Sequence, residues 1–190
     1  MTKTTKRVMA DNLKIMMTQQ PLAHITIDAL TKRAHVNRNT FYYHFEDIYQ
    51  LLEWTFDQEI VTQIQTNLSA ANWQEKYQQM LTYVQDNRDF CLAAANSVGR
   101  HFLENFLYSV GVLVVRPVVK DIDDHLAPAV ADAIVDFYAG ALAAQLLRWL
   151  DDQLRETEAQ MLARAKLMLQ GTIELIVQKS LHENDSAADH

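Results

Sequence analysis

Apolar residues recur every three or four positions along almost the whole chain, and runs that alternate polar with apolar are nearly absent. A period near 3.6 places a continuous apolar stripe on one side of a helix, whereas a strand needs a period of two. The turn residues agree. Four glycines and three prolines in 190 residues amount to about a third of average usage, too few for the tight turns of a sandwich or barrel. The chain is therefore expected to be all-α, and with 49% hydrophobic residues it can bury one large core or two smaller ones.

Several function classes drop out on the same grounds. Neither a G-x-G-x-x-G nor a G-x-x-x-x-G-K-[ST] loop can be written anywhere in the sequence, so nucleotide chemistry of those two kinds is not expected, and no cofactor is called for. A single cysteine, Cys91, cannot form an internal disulfide or a Cys-rich metal site and suits a reducing compartment, by default the cytoplasm. The N-terminus MTKTTKRVMADN is basic but leads into an amphipathic stretch, so export is not expected. The most apolar segments, Phe106 to Val115 and Phe137 to Leu150, are ended by Arg116 or interrupted by Gln145 and Arg148. Both fall short of about 18 clean apolar residues and read as buried helices, with no membrane partner.

The formal charge of −7 is unevenly spread. Residues 1–50 carry seven bases (Lys3, Lys6, Arg7, Lys14, Lys32, Arg33, Arg38) against four acids (Asp11, Asp28, Glu46, Asp47), a formal +3, and the rest of the chain carries −10. An acidic body with a positive N-terminal section can bring one face to phosphates. Three regions follow: a three-helix section over 1–50, a helical regulatory and dimerisation domain over 51–182 entered by a long helix, and a polar, frayed tail over 183–190.

Within the first region one helix is expected over 4–20, stopped by Pro21. A short helix follows, capped by Thr26, with Asp28 in its first turn where the helix dipole favours it. After the turn His35-Val36-Asn37, a third helix spans 38–45. This is a helix-turn-helix plan, whose third helix can enter the major groove of DNA. Its sequence RNTFYYHF buries Phe41 and Phe45 and turns Arg38, Asn39, Thr40, Tyr42, Tyr43 and His44 outward. Five consecutive rings at about 100° per residue cannot all be buried on one side. Arg suits guanine O6 and N7, Asn suits adenine, and Thr or an aromatic edge suits the thymine methyl. Thr26, the tyrosine hydroxyls and a histidine suit phosphates. A fourth helix runs to about 69, and further helices are expected at 72–86, 88–95, 98–115, 129–150 and 157–179, with breaks at Asn87, Pro117, Pro128 and Asp151-Asp152.

The stretch TIDALTKRAHVNRNTFYYHFEDIYQLL resembles the DNA-binding domain of TetR-family transcriptional regulators, which usually ends T-[FL]-Y-x-H-F. The resemblance implies that Thr26, Arg38, Asn39, Thr40, Tyr42, Tyr43 and His44 stand at DNA-contact positions. Two departures matter. His35 stands where the family commonly has glycine, and Ile48 where it often has a phosphate-binding lysine. FYYHFEDIYQLLEWTFDQEI, NRDFCLAAANSVGRHFLENF and FYAGALAAQLLRWL also resemble a subgroup that regulates dihydroxyacetone kinase operons. That resemblance implies a protein partner sensing the metabolite, whereas TetR-like proteins often bind a small-molecule inducer. The expected partners are thus a double-stranded DNA operator, a second copy of the chain, and an inducer or co-regulator protein.

A ligand pocket, if present, would draw on Trp54, Phe90, His101, Phe102, Phe106 and Tyr138. For the dimer, Gly140, Ala141 and Ala144 permit close helix approach, and Leu142, Leu146, Met161, Ala165, Met168, Leu169 and Ile176 supply apolar surface. Asp121, Asp123, Asp124 and His125 fail as a calcium loop, because Leu126 stands where glycine is required. A small helical enzyme using His101 with Glu104, or a ligand-binding protein without DNA binding, is the alternative; no hydrolase or metalloprotease motif supports catalysis.

Overall fold

The structure, a computed structural model, describes residues 4–97, 100–169 and 171–179, so the expected tail lies outside it. Among the described residues there are helices and turns and no strand. The chain forms two compact units, the first from Met1–Gln63 with Tyr83–Leu103 and the second from Ile64–Thr82 with Glu104–His190.

The first unit begins with α1 (Thr5–Met17), capped by Thr4, whose side chain accepts from the Arg7 amide. A 3-10 turn at Leu22–His24 leads to α2 (Ile27–Ala34) and α3 (Arg38–His44). α4 (Ile48–Phe56) continues through a π-helical segment at Asp57–Val61 into α5 (Thr62–Gln65). Each start is fixed by a side-chain acceptor that meets an otherwise unpaired amide: Thr26 takes Ala29 N, Asn37 takes Asn39 N and Asp47 takes Gln50 N. Gln50 returns the favour by accepting from Glu46 N at 2.7 Å. Met9, Leu13, Leu22, Leu30, Phe41, Leu51 and Leu52 form a core at 0–1% exposure, each side chain contributing about 1.5–3 kcal/mol of burial. The end of α6 (Trp73–Asp86) and α7 (Arg88–Ser97) belong to this unit, and α7 packs on α1.

The second unit contains most of α8 (Arg100–Ile122), with α9 (Pro128–Asp151), α10 (Glu158–Leu169) and α11 (172–179). Gly111 on α8 meets α9 closely: a Cβ there would stand 2.9 Å from the Cα and O of Ala139. Trp149, 1% exposed, donates from its indole to Glu156 O at 2.9 Å and closes the turn between α9 and α10.

Four sequence expectations need correction. α8 does not stop before Pro117 but runs to Ile122, because Val115, Val118 and Val119 keep the buried stripe going past the amide that proline lacks. The last helix is interrupted at Gly171, whose φ of +78° is left-handed. The fourth helix ends at Gln65 and contains the π-helical segment, which no periodicity announced. Counting only clean apolar runs also understated two helices: His101–Ile122 and Pro128–Asp151 are long and apolar enough, by length and composition, to cross a membrane. Ten residues of α9 are nonetheless buried within the protein.

Candidate nucleic-acid interface

The turn between α2 and α3 depends on His35, which caps α2 in the left-handed region at φ 54°, ψ 39°. A non-glycine residue adopts this conformation at some cost, and the Val36 N to Thr31 O bond of 3.0 Å shows the helix end closing normally around it. Asn37 then starts α3, and Phe45 leaves it with extended backbone at φ −144°. α3 is thus two turns long, pinned by Phe41 at 0% and Phe45 at 3% exposure.

With those two rings inward, steps of 100° direct Arg38, Asn39, Tyr42 and Tyr43 to one outer face, and all four are exposed. Tyr43 presents 84% of its surface, the most of any large apolar residue among those described. Thr40 and His44 fall on the flank and are half-buried, so the outward set is narrower than the six positions read from the sequence. Thr26 is exposed, its hydroxyl already accepting from Ala29 N. Ile48 is half-buried at the start of α4.

Arg38 is held from two sides. Its Nη1 lies 2.9 Å from Asp28 Oδ1 and donates to Oδ2 at 3.1 Å, while its guanidinium carbon sits 5.6 Å from the centroid of the Tyr42 ring. Nη2 donates to the Tyr42 hydroxyl at 3.4 Å. The Tyr42 hydrogen bond and then the Asp28 charge push the Arg38 pKa above its already high ordinary value, so the cation is permanent. Sequence reasoning assigned Asp28 only a helix-dipole role; its separation of ten positions from Arg38 carried no signal of contact.

The positive charge of this unit is also redistributed. Arg7 Nη2 lies 2.8 Å from Glu59 Oε1 and Lys14 Nζ lies 2.6 Å from Oε2, so two of the N-terminal bases are spent on an acid from beyond residue 50. Lys6 stands over the rings of Phe45 and Trp54. Lys32 and Arg33, exposed in the last turn of α2, join Arg38 as the bases facing solvent beside α3.

The six pocket candidates are not gathered at one cavity. Trp54 packs on Phe45, Phe90 stacks on Phe56 and Phe102 packs on Tyr49, all within the first unit, where exposed His101 also lies. Half-buried Phe106 and buried Tyr138 lie in the second, Tyr138 bonding Thr172 at 2.8 Å. An apolar cavity in the second unit, lined by Val115, Val118, Ile122, Leu142, Leu169 and Ile173 among others, offers about 30 Å³, the space of a water molecule or so. The aspartate cluster is used locally: Asp121 accepts from Ala70 N and Asp123 from His125 N. No metal-binding group of three or more His, Cys, Asp or Glu occurs among the described residues.

The dimer candidates divide. Leu142, Leu146, Met161, Ala165 and Leu169 are buried inside the protomer at 0–9% exposure, so they are core and not free surface. Phe137, Leu167, Met168, Leu175 and Ile176 are exposed at 38–75%. On α9, Phe137, Gly140, Ala141 and Ala144 follow helical spacing, and nothing lies within 4 Å of a Cβ placed on Gly140.

A helix-turn-helix unit with an outward α3, followed by an all-helical second unit, defines a helical DNA-binding regulator. Residues 71–171 match the family model described as transcriptional regulator C-terminal region, and residues 15–54 match that of the bacterial regulatory proteins of the tetR family. The chain belongs to the TetR family of bacterial transcriptional regulators. It is 27% identical over 86 residues to the HTH-type dhaKLM operon transcriptional activator DhaS of Lactococcus lactis subsp. lactis (strain IL1403), a match covering 45% of this chain and 46% of that protein. The chain therefore spans about half the length of the curated relative it matches. A solved structure titled dihydroxyacetone kinase operon activator DhaS shares the fold with a TM-score of 0.70, at 20% identity, over 90% of this chain and 97% of that one.

Proposed function

We propose that this regulator reads its operator with the outer face of α3 laid in the major groove, Arg38 and Asn39 meeting base edges and Tyr42, Tyr43, Thr40, His44 and Thr26 meeting phosphates, sugars or thymine methyls. The observation that carries this reading is the sorting of α3: Phe41 and Phe45 are buried while Arg38, Asn39, Tyr42 and Tyr43 are exposed together. A helix this short touches only a few base pairs, so two copies are needed for a specific site. The exposed apolar residues of α9, α10 and α11 supply the homodimer face.

Control comes from an effector acting on the second unit, by preferring either the DNA-competent or the incompetent arrangement. A docking protein is the effector this reading favours, since the apolar cavity of the second unit offers only about 30 Å³ and the roomier hollow beside Pro117, Lys120 and Asp121 is open to solvent. The likeness to DhaS supports a dihydroxyacetone kinase operon as the target, and on this reading the protein is a cytoplasmic regulator without catalysis. Selecting duplexes from a randomised library with the full chain tests the reading. The expected product is a pseudo-palindrome with half-site centres about 34–36 Å apart or a multiple of that. Enrichment of no sequence, or a monomer bound to one asymmetric half-site, would overturn it.

A further inference from the structure

On the outer face of α3, Arg38 is held both by Tyr42 of its own helix and by an acid on a different helix, Asp28. Asp28 and Arg38 are both well exposed, at 67% and 57% of their side chains. An exposed pair of this kind adds little to stability, so the arrangement matters for where the guanidinium points. An unrestrained arginine beside DNA is drawn to any phosphate, which raises affinity for every sequence equally. A guanidinium whose Nη1 is taken by Asp28 and whose Nη2 already donates to the Tyr42 hydroxyl has fewer ways to do this.

We infer that Asp28 is a specificity-determining residue that acts through Arg38, positioning the guanidinium for a base edge and withholding it from phosphates. The Asp28 carboxylate occupies Nη1, and the Tyr42 ring supports the guanidinium from α3 itself. Among the described residues Nη2 makes only the long 3.4 Å bond to the Tyr42 hydroxyl and carries a second hydrogen, so the Nε–Nη2 edge can still present two parallel donors, the pattern that matches guanine O6 and N7. The Asp28 charge, 2.9 Å from Nη1, opposes a phosphate brought close to the guanidinium, so a duplex lacking the matching base gains little from Arg38. This inference rests on the reading of α3 as the recognition helix.

The test uses the full chain and two probes: a duplex selected by the parent protein from a randomised library, and a scrambled duplex of the same length and composition. Dissociation constants are measured for the parent, Asp28→Asn, Arg38→Ala and the double variant. Asp28→Asn is expected to lower the selected-to-scrambled affinity ratio about tenfold, mainly by tightening the scrambled complex, in line with the discrimination of one good base contact. In the Arg38→Ala background the same change should leave the ratio where Arg38→Ala alone put it. An unchanged ratio in Asp28→Asn, with both affinities rising together, would reduce Asp28 to general repulsion and overturn the inference. A ratio that still responds to Asp28→Asn without Arg38 would overturn it too, since Asp28 would then meet the base itself. If Arg38→Ala leaves the ratio intact, the reading of α3 fails instead.

Discussion

The carboxylate of Glu59, 8% exposed in the π-helical segment, accepts a hydrogen bond of 2.6 Å from Lys14 Nζ on α1. The Tyr83 hydroxyl donates to the same oxygen at 2.7 Å, and Lys14 also donates to Asn87 at 2.9 Å. Arg7 faces the other oxygen at 2.8 Å without hydrogen-bond alignment, so that contact is purely ionic. One buried acid thus ties α1 of the helix-turn-helix to the helix that follows α3 and to the junction of α6 and α7. Extra turns of π-helix often mark functional positions.

Glu59→Gln removes the charge while keeping the shape. Lys14 and Arg7 are 22% and 38% exposed and can still reach water, so the loss should be about 1.5–3 kcal/mol, below the figure for a fully buried pair. Chemical denaturation measures this, and a loss under about 0.5 kcal/mol would place the network on the surface in energetic terms. Glu59→Gln should also weaken operator binding at temperatures where the chain is fully folded.

His35→Gly should stabilise the protein. The left-handed φ of 54° costs an L-residue about 1–2 kcal/mol, and glycine gives back part of the gain through its freer unfolded chain, leaving about 0.5–1 kcal/mol. A raised melting temperature with unchanged helix content is expected; a lowered one would mean that the imidazole holds the turn.

Gly111→Ala should destabilise, since the added Cβ meets backbone atoms of Ala139 at 2.9 Å and overpacking costs about 1–3 kcal/mol. Gly140→Ala has open space around it and should be tolerated within the protomer. If α9 lines the proposed homodimer face, Gly140→Arg should instead shift the sedimenting species toward monomer, with the melting temperature of the isolated protomer little changed.

Alkaline pH should weaken the fold. Burial pushes the Cys91 thiol from 9.0 up to about 12, and burial likewise pushes Tyr77 from 10.0 up to about 12. The unfolded chain gives up these protons first, so their contribution is complete below pH 9 and declines as pH rises from about 9 to 12. Cys91→Ala should make that decline shallower, and the Cys91 thiol should resist alkylation at neutral pH in the folded protein. Rapid alkylation under those conditions would contradict the buried placement.

The helix-turn-helix was legible because every device that makes it is local. Thr26 and Asn37 cap helices three or fewer residues away, and Phe41 with Phe45 fixes which side of α3 turns inward, whereas α1 ends at Met17, three residues before the stop expected from Pro21. What stayed hidden depends on residues far apart in sequence. Nothing near Glu59 announces that Lys14 and Arg7 will meet it, and nothing near Asp28 names Arg38. The apolar stripes of α9 and α10 suit a protomer core and a dimer face equally, so nothing in the sequence separates buried Leu142 and Met161 from exposed Met168 and Ile176. Pro117 read as a stop because the packing that carries α8 past it comes from the same helix's later valines.

The most direct test of the account is the binding of Asn39→Ala to the selected duplex and to variants of it changed one base pair at a time. Asn39 is exposed on α3, with its amide nitrogen bonded to the Asn37 cap and its side chain turned outward. The expected result is a loss of about 1–3 kcal/mol on the selected duplex and a relaxed preference at one base-pair position in each half-site. Parental affinity, with the parental preference kept at every position, would contradict the assignment of α3 as the helix that reads DNA.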